Sequence, residues 1–164
     1  MGKRSSPPIH IALASESDAE EIAPVLLAAF RDFEALYTPD AFRATTPDAK
    51  QIADRVADGP VWVAKEGETV VGTVSAIERG EEVYIRGMAV LPSARGRGVG
   101  RQLLARVEAF ATSRDARRLS LTTTPFLTAA IRLYERAGFR RAPGRLDLYG
   151  TPLVAMAKEL STKG

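Results

Sequence analysis

Cysteine is absent from this chain of 164 residues, and histidine occurs once, at His10. The lack of cysteine excludes disulfides, thiolate metal sites and a cysteine nucleophile. A single histidine excludes a histidine-rich metal site. It also disfavours a Ser-His-Asp triad, since no G-x-S-x-G motif accompanies His10. We therefore expect no metal and no covalent chemistry on a thiol.

Long apolar runs are also missing, because none approaches the ~18 residues that cross a bilayer. Residues 1–6 match the short myristoylation pattern M-G-x-x-x-S, which a basic leader also produces, and they lack the apolar segment of a signal peptide. We expect residues 1–8 to form a flexible leader and residues 9–160 to form a single domain. We also expect no membrane partner and a cytoplasmic location.

Charge is spread unevenly along the chain. Residues 1–83 hold 8 Lys or Arg against 15 Asp or Glu, a net charge of −7, whereas residues 84–145 hold 13 Arg against 3 acidic residues, a net charge of +10. The planar fork of arginine suits phosphate, so a phosphate-bearing ligand is one interpretation and a solubilising surface is the other. Nucleic acid is disfavoured as a partner, because the basic half has few aromatic residues and no known reader motif.

Hydrophobic periodicity predicts helices between strands, which indicates an α/β architecture. The predicted helices span residues 18–36, 46–57, 99–113 and 128–137. The predicted strands span residues 9–13, 61–64, 70–77, 83–91, 119–123, 139–142 and 153–158. No internal repeat or long linker divides the chain.

A loop rich in glycine and arginine follows the strand predicted at residues 83–91. The free amides and the dipole of a helix N-terminus form an anion site, and glycine lets a phosphate approach the backbone. The Walker A motif does not fit because its lysine is missing, and the dinucleotide fingerprint does not fit because its last glycine is missing. The remaining pattern is Arg95-x-x-Gly98-x-Gly100.

This loop resembles the acetyl-CoA loop of the GNAT superfamily of N-acetyltransferases. Val90-x-Pro92 precedes it and a pair of leucines at 103 and 104 follows it, as in the extended family motif. Residues 133–139, Leu-Tyr-Glu-Arg-Ala-Gly-Phe, resemble the second signature of the family. The resemblance covers nearly the whole chain. It implies the acyl-CoA N-acyltransferase (GNAT) fold, an α/β fold with a mixed, mostly antiparallel central sheet flanked by helices.

The resemblance also implies acetyl-CoA as co-substrate and assigns its binding residues. The strand backbone at Met88, Ala89 and Val90 would hold the pantetheine arm. The loop amides would bind the pyrophosphate, and these are the amides of Arg95, Gly96, Arg97, Gly98, Val99, Gly100 and Arg101. The side chains of Arg95, Arg97 and Arg101 are further candidates for the phosphates, although Arg97 could contribute its amide alone.

The implied reaction is direct attack of an amine on the thioester in a ternary complex. Tyr134 takes the position of the family's general acid, and a phenol with an ordinary pKa of roughly 10 suits protonation of the CoA thiolate. The alternative is that Tyr134 is a core aromatic. Glu82, or its neighbour Glu81, is the candidate general base, with a plain surface carboxylate as the alternative. Leu127 stands where many members carry a cofactor-contacting asparagine.

The expected acceptor is a primary amine on a small molecule, a peptide or a protein. In this family the first helices build the acceptor side, and here they carry Phe30, Phe33, Glu34, Tyr37, Asp40 and Phe42. An acidic and aromatic surface would attract a cationic amine. The alternative function is an acetyl-CoA-binding sensor or assembly module without turnover. A homodimer is a further expectation from the family.

Overall fold

Eight strands and five α-helices lie within residues 7–161, the part of the chain that this computed structural model describes. Residues 1–6 of the predicted leader lie outside the described residues. The helices are α1 Ala19–Phe30, α2 Pro39–Thr45, α3 Ala49–Asp58, α4 Val99–Ser113 and α5 Thr128–Arg136. The strands are β1 Ile9–Leu13, β2 Val61–Glu66, β3 Thr69–Arg79, β4 Glu82–Val90, β5 Arg118–Thr123, β6 Arg140–Arg141, β7 Leu146–Leu148 and β8 Thr151–Glu159.

The strands form one continuous sheet in the order β1-β2-β3-β4-β5-β8-β6, with β7 paired to β8. All neighbours are antiparallel except β4 and β5, which are parallel. A parallel pair needs a long crossover, and α4 provides it. The predicted mixed, mostly antiparallel sheet flanked by helices is confirmed.

Apolar side chains on the two faces of the sheet build two cores. On one face, α4 buries Leu103 and Val107 completely against the strands. On the other face, α1 and α3 bury Ile22, Leu26 and Ile52. The sheet is therefore covered on both sides, which leaves its strand ends and splits as places where a ligand can enter.

The helical segment predicted over residues 18–36 changes type along its length. The α-helix stops at Phe30 and continues as a tighter 3-10 helix over Arg31–Leu36. Thr38 then has to be extended because it precedes a proline, and its hydroxyl accepts a hydrogen bond from the amide of Ala41 at 3.2 Å. The resulting helix α2 was not predicted.

Helix α3 begins three residues later than predicted, because Asp48 caps it. The Asp48 carboxylate accepts a hydrogen bond from the Gln51 amide at 2.8 Å, and the Gln51 side chain returns one to the Asp48 amide at 2.9 Å. This capping box satisfies two amides that the helix leaves free. It also fixes the direction of α3 and thereby the position of Arg55 on it.

Candidate active site

The parallel strands β4 and β5 separate halfway along their length. They pair from Glu82 opposite Arg118 to Ile85 opposite Leu121, and β4 continues to Val90 without β5 beside it. The edge of β4 beyond the split therefore offers peptide groups that no neighbouring strand pairs, and an extended ligand could add to them as a strand would.

A β-bulge in β4 lies at this split. The register of β3 with β4 skips between Thr73 and Ser75, so two residues of β4, Gly87 and Met88, lie opposite one residue of β3. Gly87 has a φ of +61°, a conformation that an L side chain rarely adopts. Bulges bend and twist a strand, and this one turns the end of β4 away from β5.

A cleft of about 470 Å³ opens between the separated strands. Its wall is formed by β4, β5 and the end of β3, by α5, by residues of α1, α2 and α3, and by the β7–β8 hairpin. The residues of its wall include Tyr37, Arg55, Arg79, Tyr84, Arg86, Gly87, Met88, Thr122, Thr124, Leu127, Tyr134 and Asp147. The cleft is large enough for a small acceptor beside the end of an acyl carrier.

Tyr134 on α5 forms part of the cleft wall and is otherwise buried, with 7% of its surface exposed. Its ring packs edge to face on Phe139 at a centroid distance of 5.9 Å. Within residues 7–161 no group hydrogen-bonds its hydroxyl, and burial raises its pKa well above the ordinary value of 10.0. The phenol is therefore fully protonated at neutral pH.

The N-terminus of α4 presents backbone amides to the outside of the helix. The first helical hydrogen bond runs from the Gln102 amide to the Gly98 carbonyl at 3.0 Å, so the amides of Val99, Gly100 and Arg101 precede it. Gly98 is left-handed, with a φ of +78°, and this turns the chain into the helix. No acidic residue lies in the first turn, so the arrangement favours an anion such as a phosphate.

Gly100 brings this helix start close to the cleft. A Cβ atom at this position would lie 2.8 Å from Cδ2 of Leu133 on α5 and 3.1 Å from Cε of Met88 on β4. Glycine thus allows α4, α5 and the bulge to approach each other. The sequence-predicted loop, the Met88–Val90 strand segment and Tyr134 are brought together in one region.

The loop arginine side chains contact the protein itself. The Arg95 guanidinium donates to the Ala29 carbonyl near the end of α1 at 3.1 Å. Arg97 forms an ion pair with Glu66 on β2. These contacts hold the loop against the body of the domain, and they leave its amides rather than these two side chains as the groups facing outward.

Glu82 is not brought to the cleft. It begins β4, pairs with Arg118 at 3.7 Å, and lies five residues, roughly 16 Å of extended chain, before Gly87. Glu81 pairs with Arg117 at 3.5 Å at the same end of the sheet. Neither carboxylate belongs to the cleft wall.

The acceptor side differs in charge from the sequence expectation. Phe30 and Tyr37 line the cleft as expected, but Glu34 and Asp40 are exposed and lie outside its wall. Phe33 packs instead on Phe126, with ring centroids 6.0 Å apart. The acidic residues of the first half therefore do not define the charge of the cleft.

Arginine dominates the charge of the cleft, and the sequence reasoning missed this. Arg55 on α3, Arg79 on β3 and Arg86 on β4 line it together. Burial and the neighbouring Arg86 lower the pKa of Arg55 to about 10. Burial also lowers the pKa of Arg86, an effect that the charge of Asp58 partly offsets. No motif links these three positions, so only the tertiary structure reveals them.

Leu127 lies at the N-cap of α5 and contributes an apolar side chain to the cleft wall. It provides no side-chain cap for the helix. In residues 7–161, no group of three His, Asp or Glu side chains is placed to hold a metal ion. No helix of that same range is long and apolar enough to cross a membrane.

Comparison with known proteins identifies the family. The model of the acetyltransferase (GNAT) family matches residues 26–139. The chain is 39% identical to N-acetylaspartate synthetase of Danio rerio over 93 residues, which cover 56% of this chain and 33% of that protein. The chain spans less than half the length of each curated relative that it matches.

Solved structures agree with this match. The PaiA N-acetyltransferase of Thermoplasma acidophilum in complex with coenzyme A gives a TM-score of 0.80 at 16% identity, over 93% of this chain and 99% of that chain. Ribosomal-protein-alanine N-acetyltransferase of Brucella melitensis gives 0.69 at 28% identity, over 92% and 99%. The chain belongs to the acetyltransferase (GNAT) family, and the resemblance inferred from its two motifs is confirmed.

Proposed function

We propose that this protein transfers the acetyl group of acetyl-CoA to a primary amine. The observation that carries the proposal is the meeting of three features at one split in the sheet. These are the free amides at the start of α4, the unpaired edge of β4 after its bulge, and the buried phenol of Tyr134. Family membership supports the same reaction.

The residues present suit acetyl-CoA. The helix N-terminus has the dipole and the amides that a pyrophosphate needs, and the glycines at 96 and 98 leave no Cβ in the way. Met88, Ala89 and Val90 would pair with the amide groups of the pantetheine arm along the free edge of β4. When bound there, acetyl-CoA would supply an activated acyl group as a thioester.

In the proposed transfer, the C–N bond forms as the C–S bond breaks. The β4 backbone at Met88 would donate a hydrogen bond to the carbonyl oxygen as charge develops on it. Tyr134 would give its proton to the departing sulfur and recover one from solvent. The amine loses a proton to solvent. Glu82 lies outside the cleft and takes no part in this step.

Thermal unfolding with acetyl-CoA, CoA, ATP or NAD, followed by an assay of thiol release with a panel of amines, tests the proposal. A ligand at about 100 times its Kd adds about 2.7 kcal/mol to the free energy of unfolding, so a shift of several degrees is expected with the two CoA species alone. Equal shifts with all four ligands, or none, would contradict the acetyl-CoA site.

A sensor or assembly module that binds acetyl-CoA without turnover is the second candidate. The apolar Leu127 in the cleft wall and the distance of Glu82 from the cleft favour it. A thermal shift with acetyl-CoA but no thiol release with any amine would support it. The cytoplasmic location and the homodimer expected from the sequence stay predictions.

A further inference from the structure

The three arginines of the cleft come from separate elements and converge beside the β4 bulge. Nη1 of Arg55 lies 2.9 Å from where a Cβ atom on Gly87 would stand, so its guanidinium packs directly on the bulge. Arg86 immediately precedes that glycine in β4. The guanidinium of Arg79 lies over the ring of Tyr84 at 4.2 Å.

Arg55 and Arg86 have no acidic partner among the residues that the structure describes. Within residues 7–161, no carboxylate lies within 4.0 Å of either guanidinium. Nε of Arg86 is buried, and no acceptor in the described range 7–161 hydrogen-bonds it. Asp58 influences Arg86 only from a greater distance. Two neighbouring, partly buried cations therefore lack a carboxylate in direct contact within the described part of the chain.

Of the described residues, one acidic side chain lines the cleft, against these three arginines. It belongs to Asp147, and its Oδ2 accepts a hydrogen bond from the Gly150 amide at 2.7 Å within the β7–β8 hairpin. The cleft thus has an excess of positive charge. A polycationic acceptor would be repelled, whereas an anionic group would relieve the repulsion between the arginines.

Guanidinium groups recognise carboxylates with two parallel hydrogen bonds, which fixes both position and orientation. Donors that are buried without a partner lower the stability of the folded protein. Natural proteins retain such unfavourable groups mainly at functional sites. The contact of Arg55 with Gly87 places one donor next to the segment proposed to hold the acetyl group.

We propose that the acceptor amine carries a carboxylate, which docks on the guanidinium groups of Arg55 and Arg86. This inference rests on the proposed acetyl transfer. Because the arginines lie beside the bulge, the amine and the carboxylate must be separated by only a few bonds. The substrate class is therefore a small amino acid rather than a polyamine, an aminoglycoside or a lysine within a basic peptide.

Matched pairs of amines test this charge preference. Glycine, β-alanine, aspartate and glutamate are compared with their carboxamide counterparts, with spermidine, and with phosphoethanolamine, by following CoA thiol release. A hydrogen-bonded charge pair corresponds to about a 10- to 100-fold preference in kcat/KM for the acid over its amide. Reaction with phosphoethanolamine but not with β-alanine would overturn the carboxylate assignment.

Variants locate the preference on the two arginines. We expect Arg55→Met and Arg86→Gln to lower kcat/KM for the preferred acid about 10- to 100-fold, with its amide changed less than about 3-fold. Arg55→Lys keeps the charge without the planar fork of the guanidinium. Its kcat/KM for the preferred acid should lie between those of the wild type and Arg55→Met. Arg114→Gln, which removes an exposed charge at the end of α4, is the matched control and should match the wild type.

Failure of this inference is distinguishable from failure of the proposed function. If acetyl-CoA gives no thermal shift, acetyl transfer itself is contradicted. If acetyl-CoA binds and amides or spermidine react at least as well as the acids, only the carboxylate assignment fails. The same conclusion follows if no carboxylated amine reacts or raises the Tm of the CoA complex.

Discussion

Arginine gathers in two regions of this molecule, and the structure uses it differently in each. In the loop before α4, the side chain of Arg95 is bound to a backbone carbonyl and that of Arg97 to a carboxylate. In the cleft, Arg55 and Arg86 have no such partner within the described part of the chain. Arginines with partners hold structure together, and arginines without partners are available to a ligand.

The loop before α4 and the cleft are suited to two different kinds of anion recognition. The loop offers backbone amides, so its glycines matter more than its side chains. The cleft offers guanidinium forks, so its side chains matter more than its backbone. Substitutions at the two regions should therefore affect different ligands, the cofactor in one and the acceptor in the other.

Tyr134→Phe should have the largest effect and should separate chemistry from cofactor binding. Loss of a general acid lowers kcat by about 100- to 10,000-fold. The thermal shift with CoA should be unchanged, because in the proposed complex the loop amides and the edge of β4 hold CoA, whereas the phenol only supplies a proton to its sulfur. Tyr149→Phe, which alters an exposed tyrosine in the β7–β8 turn, is the matched control. A kcat within 3-fold of wild type would remove Tyr134 from the mechanism.

The pH profile gives a second readout for Tyr134. Because burial raises its pKa, the phenol stays protonated through at least about pH 10, so kcat should show no falling limb up to that pH. A group that loses its proton below pH 10 would produce such a limb. A falling limb near pH 9 that disappears in Tyr134→Phe would show that Tyr134 loses its proton near that pH. It would contradict a pKa that burial raises.

Gly98→Ala should weaken the loop through its backbone alone. A Cβ here would meet nothing closer than 3.7 Å, but the φ of +78° costs an L residue about 1–2 kcal/mol. If the chain relaxes, the amides at the start of α4 turn away, and the Kd for CoA should rise about 10-fold, measured by calorimetry.

Gly80→Ala is the control for that change. Gly80 has a φ of +63° with open space around it and lies in the β3–β4 turn, away from the loop. The Gly80→Ala variant should lose a free energy of unfolding similar to that lost by Gly98→Ala, and its Kd for CoA should stay at the wild-type value. If both variants bind CoA equally well, the loop amides are not the phosphate site.

Arg55→Met should raise the stability of the protein without ligand. The folded pKa of about 10 lies below the ordinary 12.5, so the charged form is penalised at every pH below about 10 and relieved only as pH rises toward 12.5. Removing the charge should raise the free energy of unfolding at pH 7 by about 1 kcal/mol, or the Tm by a few degrees. The paired Arg97 offers no such gain on substitution, and a lower Tm for Arg55→Met would show that Arg55 is a structural residue.

The sequence could predict the loop and Tyr134 because these features are local. The glycine spacing and the helix start stand within a few residues of one another, and the backbone itself forms the site. The order of strands and helices follows from hydrophobic periodicity in the same way. The change from α-helix to 3-10 helix at Phe30 could be missed because the helical spacing of apolar residues continues past it. Pro39 marks only the end of the whole segment, since it makes Thr38 extended.

The arginine cluster could not be predicted, because its members are assembled by the sheet and not by the sequence. Arg55 and Arg86 are 31 positions apart, and their meeting depends on how α3 packs over the β4 bulge. The negative net charge of the first half even predicted an acidic acceptor site. The cleft is instead positive, because Glu34 and Asp40 face solvent and three arginines line its wall. Regional charge thus says little about the charge of a cleft.

Arg97→Ala should have the smallest effect, although arginine is prominent in the loop motif. Its guanidinium is paired with Glu66 and about one third exposed, so the pair is worth about 0.2–1 kcal/mol. If the loop binds phosphate through amides, the Kd for CoA should change less than about 3-fold. Glu66→Gln breaks the same ion pair but leaves the guanidinium, which would then be free to reach a phosphate. A 10-fold loss of CoA affinity in Arg97→Ala, with none in Glu66→Gln, would place the Arg97 side chain on the cofactor and erase the distinction between the two arginine regions.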